Sequence, residues 1–380
     1  MGARQILLLV LNVLVTVKLF TPFLPLLQYL AAGYVLVLHA AVVRPRLGGR
    51  AATFVPALSL VCWTGMWFVF KQGLDRLPSL GLTGIAPDLV GASYIYLKVY
   101  DLIRRVQNGA PAPGLVQYVT QMTFFPSYVA GPIAGPEPFA QGLAPTRASV
   151  ALGLNRLIGG ILKLYVVAPF LEPANLLGQG YPYPRFLAQF ISTRDVWVGV
   201  YGSSLWIYFN FAGYTDIAIA LGLFMGVALP ENFDAPYLAP NPSEFWQRWH
   251  MSFTSWLREH VFSPVSRLLV ARGQGGTILA LVVGTTATML ACGLWHRVSL
   301  SFLVWGGYHA LVVIAHQIYA TRWKPRLAKA GLATFFAGRA YRMLGTLATF
   351  HAVTIGWVFF LPVDAPLRDH LAILGRLVGL

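Results

Sequence analysis

The chain has 380 residues, of which 57% are hydrophobic and 11% are charged, and its formal net charge is +15. A soluble domain carries about 25% charged residues, so this composition excludes an ordinary soluble globular protein. Repeated apolar runs approach the length needed to cross about 30 Å of hydrocarbon, which indicates an integral membrane protein.

Apolar segments follow one another along the chain, and they are continuous rather than alternating. This pattern predicts an all-α, polytopic fold with roughly 10–11 transmembrane helices plus re-entrant or interfacial helices, and it excludes a membrane β-barrel. The segments are 5–20, 22–43, 52–70, 89–103, 115–131, 151–171, 194–209, 212–229, 276–295, 298–319 and 341–361. Nothing suggests a separate soluble domain, so we expect one membrane domain over residues 1–380.

The first apolar segment follows a basic flank and has no clear small-residue cleavage site after it, so we expect a retained helix. The 89–103 segment is interrupted by Lys98 and Asp101, and these charges favour a short buried helix over a span. Proline and glycine cluster at 109–114, 131–142 and 178–184, which we interpret as connecting loops.

Basic residues lie between the apolar segments rather than along one stripe. They include Arg44, Arg46, Arg50, Lys71, Arg76, Arg104, Arg105, Arg322, Lys324, Arg326, Lys329, Arg339 and Arg342. This placement is typical of positive-inside loops, so membrane topology explains the net charge and no nucleic-acid partner is expected. Both cysteines, Cys62 and Cys292, lie in apolar runs and imply no disulfide framework.

A polar joint at 208–216 reads YFNFAGYTD and connects two apolar segments. Asp216 has two interpretations: it caps the start of the following helix, or it orients a catalytic histidine. Gly213 in the same joint allows close helix approach. The turn FFPSYVAGPI at 124–133 is expected to bring backbone into the bundle where it faces a cavity.

The stretch at 243–265 reads SEFWQRWHMSFTSWLREHVFSPV and predicts one amphipathic helix that starts at a proline with a cap at Ser243. Aromatic residues and Leu257 occupy a helical-wheel arc about 120° wide, while polar residues, among them Arg248 and Arg258, fill the rest. His250 lies at the border between the arcs. The helix either lies in the headgroup region or enters the bundle with its polar arc along a wet cavity.

A second candidate site follows the nearly uncharged run TILALVVGTTATMLACGLW at 277–295. His296 and Arg297 are costly at this depth unless they face protein or water, so they are functional candidates. The alternative is that His296 only ends a helix and forms a hydrogen bond with a neighbour. Cys292 precedes His296 by one helical turn, which allows a Cys–His nucleophile pair, although packing is the commoner role of such a residue.

The other histidines give weaker signals. We interpret His309 and His316, and likewise His39 and His351, as residues that form hydrogen bonds between helices. His370 lies in the polar tail. Two histidines without a tight carboxylate or thiolate cluster are a weak case for metal, so no metal and no bound cofactor are expected.

Five blocks of sequence occur in the order FFPSYVAGPIAGPEPF (124–139), YFNFAGYTD through FSPV (208–265), GLWH (293–296), VWGGYHA (304–310) and TIGWVFF (354–360). Together they resemble the membrane-bound O-acyltransferase family. The resemblance is closest to its bacterial branch, which contains the membrane subunits that acetylate alginate and that transfer D-alanine to teichoic acids. Residues 1–80 match only in hydropathy.

The resemblance implies a helical fold with a central funnel or tunnel and two motif histidines. In the family, the histidine that corresponds to His296 is regarded as catalytic, and the one that corresponds to His250 lies nearby in the tunnel. We therefore expect His296 to act as general base and His250 to support it. The expected lining or supporting residues are Trp249, Arg248, Trp295, Asn210, Asp216 and Arg258. Arg297 stands where the family usually has glycine, a departure that bears on tunnel width or acceptor preference.

The implied activity is O-acyl transfer, acetyl first, from a cytoplasmic thioester across the membrane to hydroxyls of an exported polysaccharide or cell-wall polymer. The donor is expected to be acetyl-CoA, another acyl-CoA or an acyl carrier protein. An extracytoplasmic acyltransferase or small membrane subunit is the expected partner, and the bilayer is that of the bacterial cytoplasmic (inner) membrane. Alternatives are D-alanyl transfer from a carrier protein to teichoic acid-like polymers, and a transporter or flippase subunit, which the lack of an inverted repeat disfavours.

Overall fold

The computed structural model describes residues 3–19, 23–43, 51–72, 91–140, 145–173, 192–271, 277–361 and 365–379. Regular secondary structure in these ranges is helical, apart from an isolated antiparallel bridge between Phe233 and Trp249. The all-α prediction is therefore confirmed. The predicted loop at 178–184 and the basic residues Arg44, Arg46, Arg50 and Arg76 lie outside the described residues.

Several helices in the described ranges are long and apolar enough to cross a membrane. These five are Leu26–Val43, Arg147–Leu171, Thr193–Phe224, Ile278–His296 and Leu300–Ala337, and shorter apolar helices occupy Ile6–Leu19 and Ala57–Phe68. Only 11% of the 147–171 window is buried inside the protein, as expected for a helix that faces lipid. The chain is thus a multi-pass membrane protein, while the predicted total of spans and the central funnel stay predictions.

The chain divides into two compact units, Met1–Gly159 with Tyr214–Pro230 and Gly160–Gly213 with Glu231–Leu380. The expectation of a single membrane domain stays a prediction. Helices of the first unit are α1 (Ala3–Leu19), α2 (Phe23–Val43), α3 (Ala51–Gln72), α4 (Ala92–Gln107), α5 (Leu115–Met122), α6 (Glu137–Ala140) and most of α7 (Arg147–Leu162).

Helix α4 is buried on most of its surface and packs against α2 and α3. The ammonium of Lys98 on α4 is buried and donates to the backbone carbonyls of Gln121 at 3.2 Å and Ser127 at 3.3 Å. Asp101 pairs with Arg105 one turn later, at 2.6 Å. Because both interrupting charges find partners inside the protein, the expectation of a short buried helix at this position is confirmed.

The polar joint at 208–216 does not interrupt the chain, because a single helix, here called α9, runs from Thr193 to Phe224. The prediction of two separate segments was therefore wrong, and so was the helix-capping role for Asp216. The carboxylate of Asp216 lies within the helix and accepts a 2.6 Å hydrogen bond from Arg156 in the same unit. An internal ion pair of this kind lets a helix carry a charge without ending.

The second unit continues α7 through a π-helical turn (Lys163–Val167). Its other helices are α8 (Ala168–Leu171), part of α9, α10 (Pro242–Arg248), α11 (Met251–Leu257), α12 (Ser263–Ala271), α13 (Thr277–His296), α14 (Leu300–Ile318), α15 (Lys324–Leu327), α16 (Ala333–Ala337), α17 (Arg339–Trp357) and α18 (Leu367–Leu377). Further π-helical turns occupy Arg258–Phe262, Tyr319–Trp323 and Ala328–Leu332.

Helices α13 and α14 form a tight hairpin with His296 at its turn. A Cβ atom on Gly293 would clash with the carbonyl oxygen of Phe302, and one on Gly306 would clash with that of Met289. The two glycines therefore allow the backbones to approach closely, as small residues do between membrane helices. This packing fixes the position of His296 relative to the first turns of α14.

Candidate active site

The stretch 243–265 is not one helix, so that prediction was wrong. Helix α10 ends at Arg248 and α11 begins at Met251, and His250 between them adopts φ 45° and ψ 51°. This left-handed conformation is uncommon outside glycine, although asparagine, aspartate and histidine adopt it more readily than other residues. The break turns the chain sharply at the histidine itself.

The predicted start of α10 also differs in one detail. Asn241, rather than Ser243, is the N-cap, because its Oδ1 accepts the backbone N–H of Glu244 at 2.9 Å. Pro242 occupies the first turn, as predicted.

A short segment at 232–234 holds the break in place. The carbonyl of Asn232 accepts the N–H of Met251 at 2.9 Å, and its side-chain Oδ1 accepts the hydroxyl of Ser252 at 2.6 Å and the N–H of Ser252 at 3.3 Å. The N–H of Asp234 donates to the carbonyl of Arg248 at 3.1 Å. Asn232 is fully buried, so these bonds form away from solvent. The helix break is therefore supported from outside its own sequence.

We expect Asn232→Ala to lower the midpoint of thermal unfolding in detergent, with a loss of about 1–3 kcal/mol of stability. The reason is that the hydroxyl and N–H of half-buried Ser252 lose their acceptor, the Oδ1 of buried Asn232. Ser255→Ala, an exposed change on α11, is the matched control and should stay within about 0.5 kcal/mol of the parent. Equal unfolding midpoints for Asn232→Ala and the parent protein would contradict this account of the break.

The imidazole of His250 is buried between two phenyl rings. It stacks on Phe211 at 4.8 Å between ring centroids and meets Phe253 edge to face at 5.1 Å. Its Nδ1 is buried and has no hydrogen-bond partner in the described protein. Removal from water disfavours the charged form and lowers the pKa of His250 to about 3, so the ring is neutral at physiological pH.

The imidazole of His296 contacts the same phenyl ring. It meets Phe253 at 6.1 Å, Trp305 at 5.6 Å and Phe360 at 5.0 Å between centroids, each close to perpendicular. The side chain is half-buried at the end of α13. One ring, Phe253, thus contacts both motif histidines and brings them into a single site within the second unit.

His309 belongs to the same aromatic cluster, although its position as a lone histidine in an apolar run predicted only a structural role. It is fully buried on α14, and its ring meets Trp305 at 5.0 Å and Trp246 at 5.1 Å. Neither ring nitrogen has a hydrogen-bond partner in the described protein, and neither does Nε1 of Trp305. The interhelical hydrogen bond predicted for His309 is therefore wrong. Unpaired buried groups are costly in an ordinary core, which makes this cluster a candidate functional site.

The rings of Trp249 and Trp357 pack with their centroids 5.0 Å apart, and a chain of hydrogen bonds holds the Trp357 ring in place. Nε1 of Trp357 donates to the hydroxyl of Tyr237 at 3.0 Å, and that hydroxyl donates to the carbonyl of Ser204 at 2.7 Å. The rings are fixed by these bonds and by their packing. They surround the histidines with apolar surface, where polar interactions are stronger than in water.

The remaining expected lining residues have different surroundings. Trp295 is buried and contacts Phe253 at 4.4 Å, so it belongs to the cluster. Asn210 is half-buried on α9, one residue before Phe211. Arg248 pairs with Glu244, and Arg258 is exposed.

Asp216 lies in the first unit, where its carboxylate pairs with Arg156. Arg297 is half-buried, and its N–H donates to the carbonyl of Gly293 at 3.0 Å at the end of α13.

The histidines that were interpreted as structural, other than His309, do form hydrogen bonds. His39 bonds to Ser59 at 2.9 Å, and His351 bonds to Tyr201 at 2.5 Å. The contact between His316 and Ser243 is longer, at 3.5 Å.

His370 is fully buried, not part of a solvated tail. Its Nδ1 lies 2.7 Å from the carbonyl of Val358, and its Nε2 lies 3.2 Å from that of Ala365. Cys292 is a buried free thiol on α13.

Fold and site together define a multi-pass helical membrane protein with histidine side chains packed in an aromatic cluster. The chain belongs to the membrane-bound O-acyltransferase family (MBOAT), whose model matches residues 97–354. The matched range contains every histidine of the cluster.

Curated relatives fall into three named groups. The chain is 27% identical to the probable alginate O-acetylase AlgI of Pseudomonas syringae pv. tomato, over 84% of this chain and 58% of that protein. It is 29% identical to the peptidoglycan O-acetyltransferase of Helicobacter pylori, over 70% of this chain and 47% of that protein. It is 25% identical to the teichoic acid D-alanyltransferase of Bacillus subtilis, over 71% of this chain and 68% of that protein. The chain thus spans about half to two thirds of the length of these relatives.

Proposed function

We propose that the chain is a membrane-embedded O-acyltransferase of the bacterial cytoplasmic membrane. It moves an acyl group, acetyl first, from a cytoplasmic thioester to hydroxyls of an exported polysaccharide or cell-wall polymer. The observation that carries the proposal is that His250 and His296 both contact Phe253, in a chain that belongs to an O-acyltransferase family.

His296 is the proposed general base. As the acceptor hydroxyl attacks the thioester carbonyl carbon, the imidazole takes the hydroxyl proton and the new C–O bond forms. The C–S bond of the tetrahedral intermediate then breaks, and the departing sulfur takes the proton from the imidazolium. The products are an ester and a thiol, and the imidazole is neutral again. A neutral imidazole, with an ordinary pKa of about 6.5, suits this role because a hydroxyl does not ionise near neutral pH.

His250 supports the reaction as a neutral hydrogen-bonding group. Its low pKa excludes it as a cation at physiological pH, and its unpaired Nδ1 is available to a substrate atom. We assign it to holding the thioester or to sharing the proton path.

Trp305 is the candidate donor toward the oxygen that becomes negative in the intermediate. Its indole N–H is buried and unpaired, and its ring contacts His296. A fixed donor in an apolar site stabilises such charge more than water does. The ring of His309 carries a further N–H donor in the same cluster.

The acyl group and acceptor follow from the relatives. Acetyl is the first proposal, because alginate and peptidoglycan O-acetylating relatives are 27% and 29% identical. D-alanyl transfer to a teichoic acid-like polymer is the second, because the chain spans 68% of the B. subtilis D-alanyltransferase. The corresponding donors are acetyl-CoA or another acyl-CoA, and an acyl carrier protein. The proposed extracytoplasmic partner is an acyltransferase or a small membrane subunit that passes the acyl group to the polymer.

The test uses sealed inside-out membrane vesicles that contain the full chain and the producing strain's polymer. Labelled acetyl-CoA, and in a second arm labelled D-alanyl carrier protein, is added outside. With one of the two donors, label is expected on polymer in the vesicle lumen. The same polymer should also become labelled after the vesicles are dissolved in detergent, because acyl transfer needs no gradient whereas gradient-driven transport does. Label only on the donor's side contradicts transfer across the bilayer, and no label with either donor contradicts the proposed function.

A further inference from the structure

A large cavity lies in the second unit at the opposite end of α14 from His296. Its volume is about 590 Å³, within the range of small-molecule sites. The polar side chains in its lining are Asn241, His316, Tyr319, Lys324, Tyr341, Arg342 and Thr349. Phe302 contacts His296 near the start of α14, and His316 lies about 21 Å further along the helix axis. The cavity is therefore distinct from the histidine cluster.

The charge of this cavity is uncompensated. Its lining includes Lys324 and Arg342 but no aspartate or glutamate. Among the described residues, neither cation forms an ion pair with a carboxylate. Glu244, which follows the lining residues at 241–242, pairs instead with Arg248.

Aromatic rings hold the ammonium of Lys324 in position. Its Nζ lies 4.7 Å from the ring centroid of Tyr341 and 5.6 Å from that of Phe336. The hydroxyl of Tyr341 in turn donates to that of Tyr319 at 3.5 Å. A cation held over ring faces keeps its N–H donors available to an anion, which a carboxylate partner would occupy.

The segment 319–338, which forms part of the wall, combines exposed apolar and basic residues. Trp323 is 56% exposed and Phe335 is 43% exposed, while Arg322, Arg326 and Lys329 are exposed beside them. Exposed apolar side chains interleaved with cations are typical of a helix at the headgroup level of an anionic leaflet. A ligand of this cavity is therefore expected to carry both a phosphate and an apolar part.

We propose that this cavity is a phosphate-binding site for an amphiphilic phosphate ester, with Lys324 and Arg342 as its ligands to the phosphate oxygens. Two sources supply this chemistry: the headgroup of an anionic phospholipid, and the diphosphate of a coenzyme A thioester. The second source rests on the proposed acyl-transfer function, and the first does not. In either case the two cations contact the phosphate and the apolar rings contact the remainder of the ligand.

The test measures binding without turnover, on the full chain purified in a neutral detergent. Coenzyme A is titrated calorimetrically against pantetheine, which lacks the phosphates, and retention of phosphatidylglycerol is measured by native mass spectrometry. Lys324→Gln and Arg342→Gln should each weaken binding of the true ligand about tenfold, the loss expected for one charge-assisted contact. Arg267→Gln and Arg339→Gln, matched changes of exposed cations outside the lining, should leave it within about twofold.

Binding of coenzyme A but not pantetheine, sensitive to the two lining cations, assigns the thioester source. Sensitive retention of phosphatidylglycerol alone assigns the lipid source. Binding of neither ligand, or equal losses in lining and control variants, overturns the proposal. If Lys324→Gln does not fold, the change at the exposed Arg342, Arg342→Gln, still decides the outcome. His296→Gln should bind normally, so failure of this site and failure of the catalytic proposal are distinguishable.

Discussion

His296→Gln is expected to reduce acyl transfer by about 10²–10⁴-fold, the contribution of a positioned general base. Glutamine keeps a polar side chain of similar reach but cannot accept and return the proton. The loss should appear in kcat/KM, and KM should change little, because the proton moves only as the C–O bond forms. Initial rates with labelled donor at saturating and limiting concentrations measure both constants.

His351→Gln is the matched control for this prediction. That histidine is exposed and bonds to Tyr201 outside the aromatic cluster, so its loss should leave transfer within about twofold. Near-normal transfer by His296→Gln, in protein that inserts and elutes as the parent does, would remove His296 from the mechanism.

His250→Asn and His250→Ala are expected to behave differently, because this position has both a backbone and a chemical role. Asparagine adopts the left-handed φ of 45° at a lower cost than alanine, so the alanine variant should lose about 1 kcal/mol more stability than the asparagine variant. Both remove the imidazole, so both should lower transfer by about 10–100-fold, the rate equivalent of one hydrogen bond to a charged group. Thermal unfolding and initial rates on the same preparations measure the two effects separately.

The pH dependence gives a further readout at this position. Burial lowers the pKa of His250 to about 3, so its charged form is populated only below that pH. The ratio of parent to His250→Asn rates should therefore be constant from pH 5 to pH 8. A ratio that changes through this window would mean that His250 titrates there, and a normal rate for His250→Asn would mean that the imidazole has no part in transfer.

The helical class of the fold was predictable from the sequence, because it depends on local hydrophobicity that each segment carries by itself. The polar joint at 208–216 misled the segment prediction, since its partner for Asp216 is Arg156, sixty positions earlier. A sequence shows that a charge is present in an apolar run, but not whether another helix neutralises it. Capping and internal pairing give the same local signal.

The break at His250 was not predictable for a related reason. The bonds that hold it come from Asn232, and nothing within 243–265 distinguishes a broken helix from a continuous one. The motif match identified both His250 and His296, whereas His309 was missed because a lone histidine in an apolar run is usually a structural residue. The four-residue spacing of His309 from Trp305 on one face of α14 was the available signal. The folded structure adds that Trp246 packs on the His309 ring and that neither ring nitrogen has a hydrogen-bond partner in the described protein.

The left-handed backbone conformation at position 250 affects how mutations of His250 should be interpreted. A saturation library sorted only for well-expressed protein should be enriched in glycine and asparagine at this codon, since these residues accept the conformation without strain. The glycine and asparagine variants lack the imidazole, so well-expressed protein from this library is expected to have reduced acyl transfer. A screen for protein abundance would then miss the chemical role of the imidazole at this position. Only a selection for acylated polymer would reveal that role.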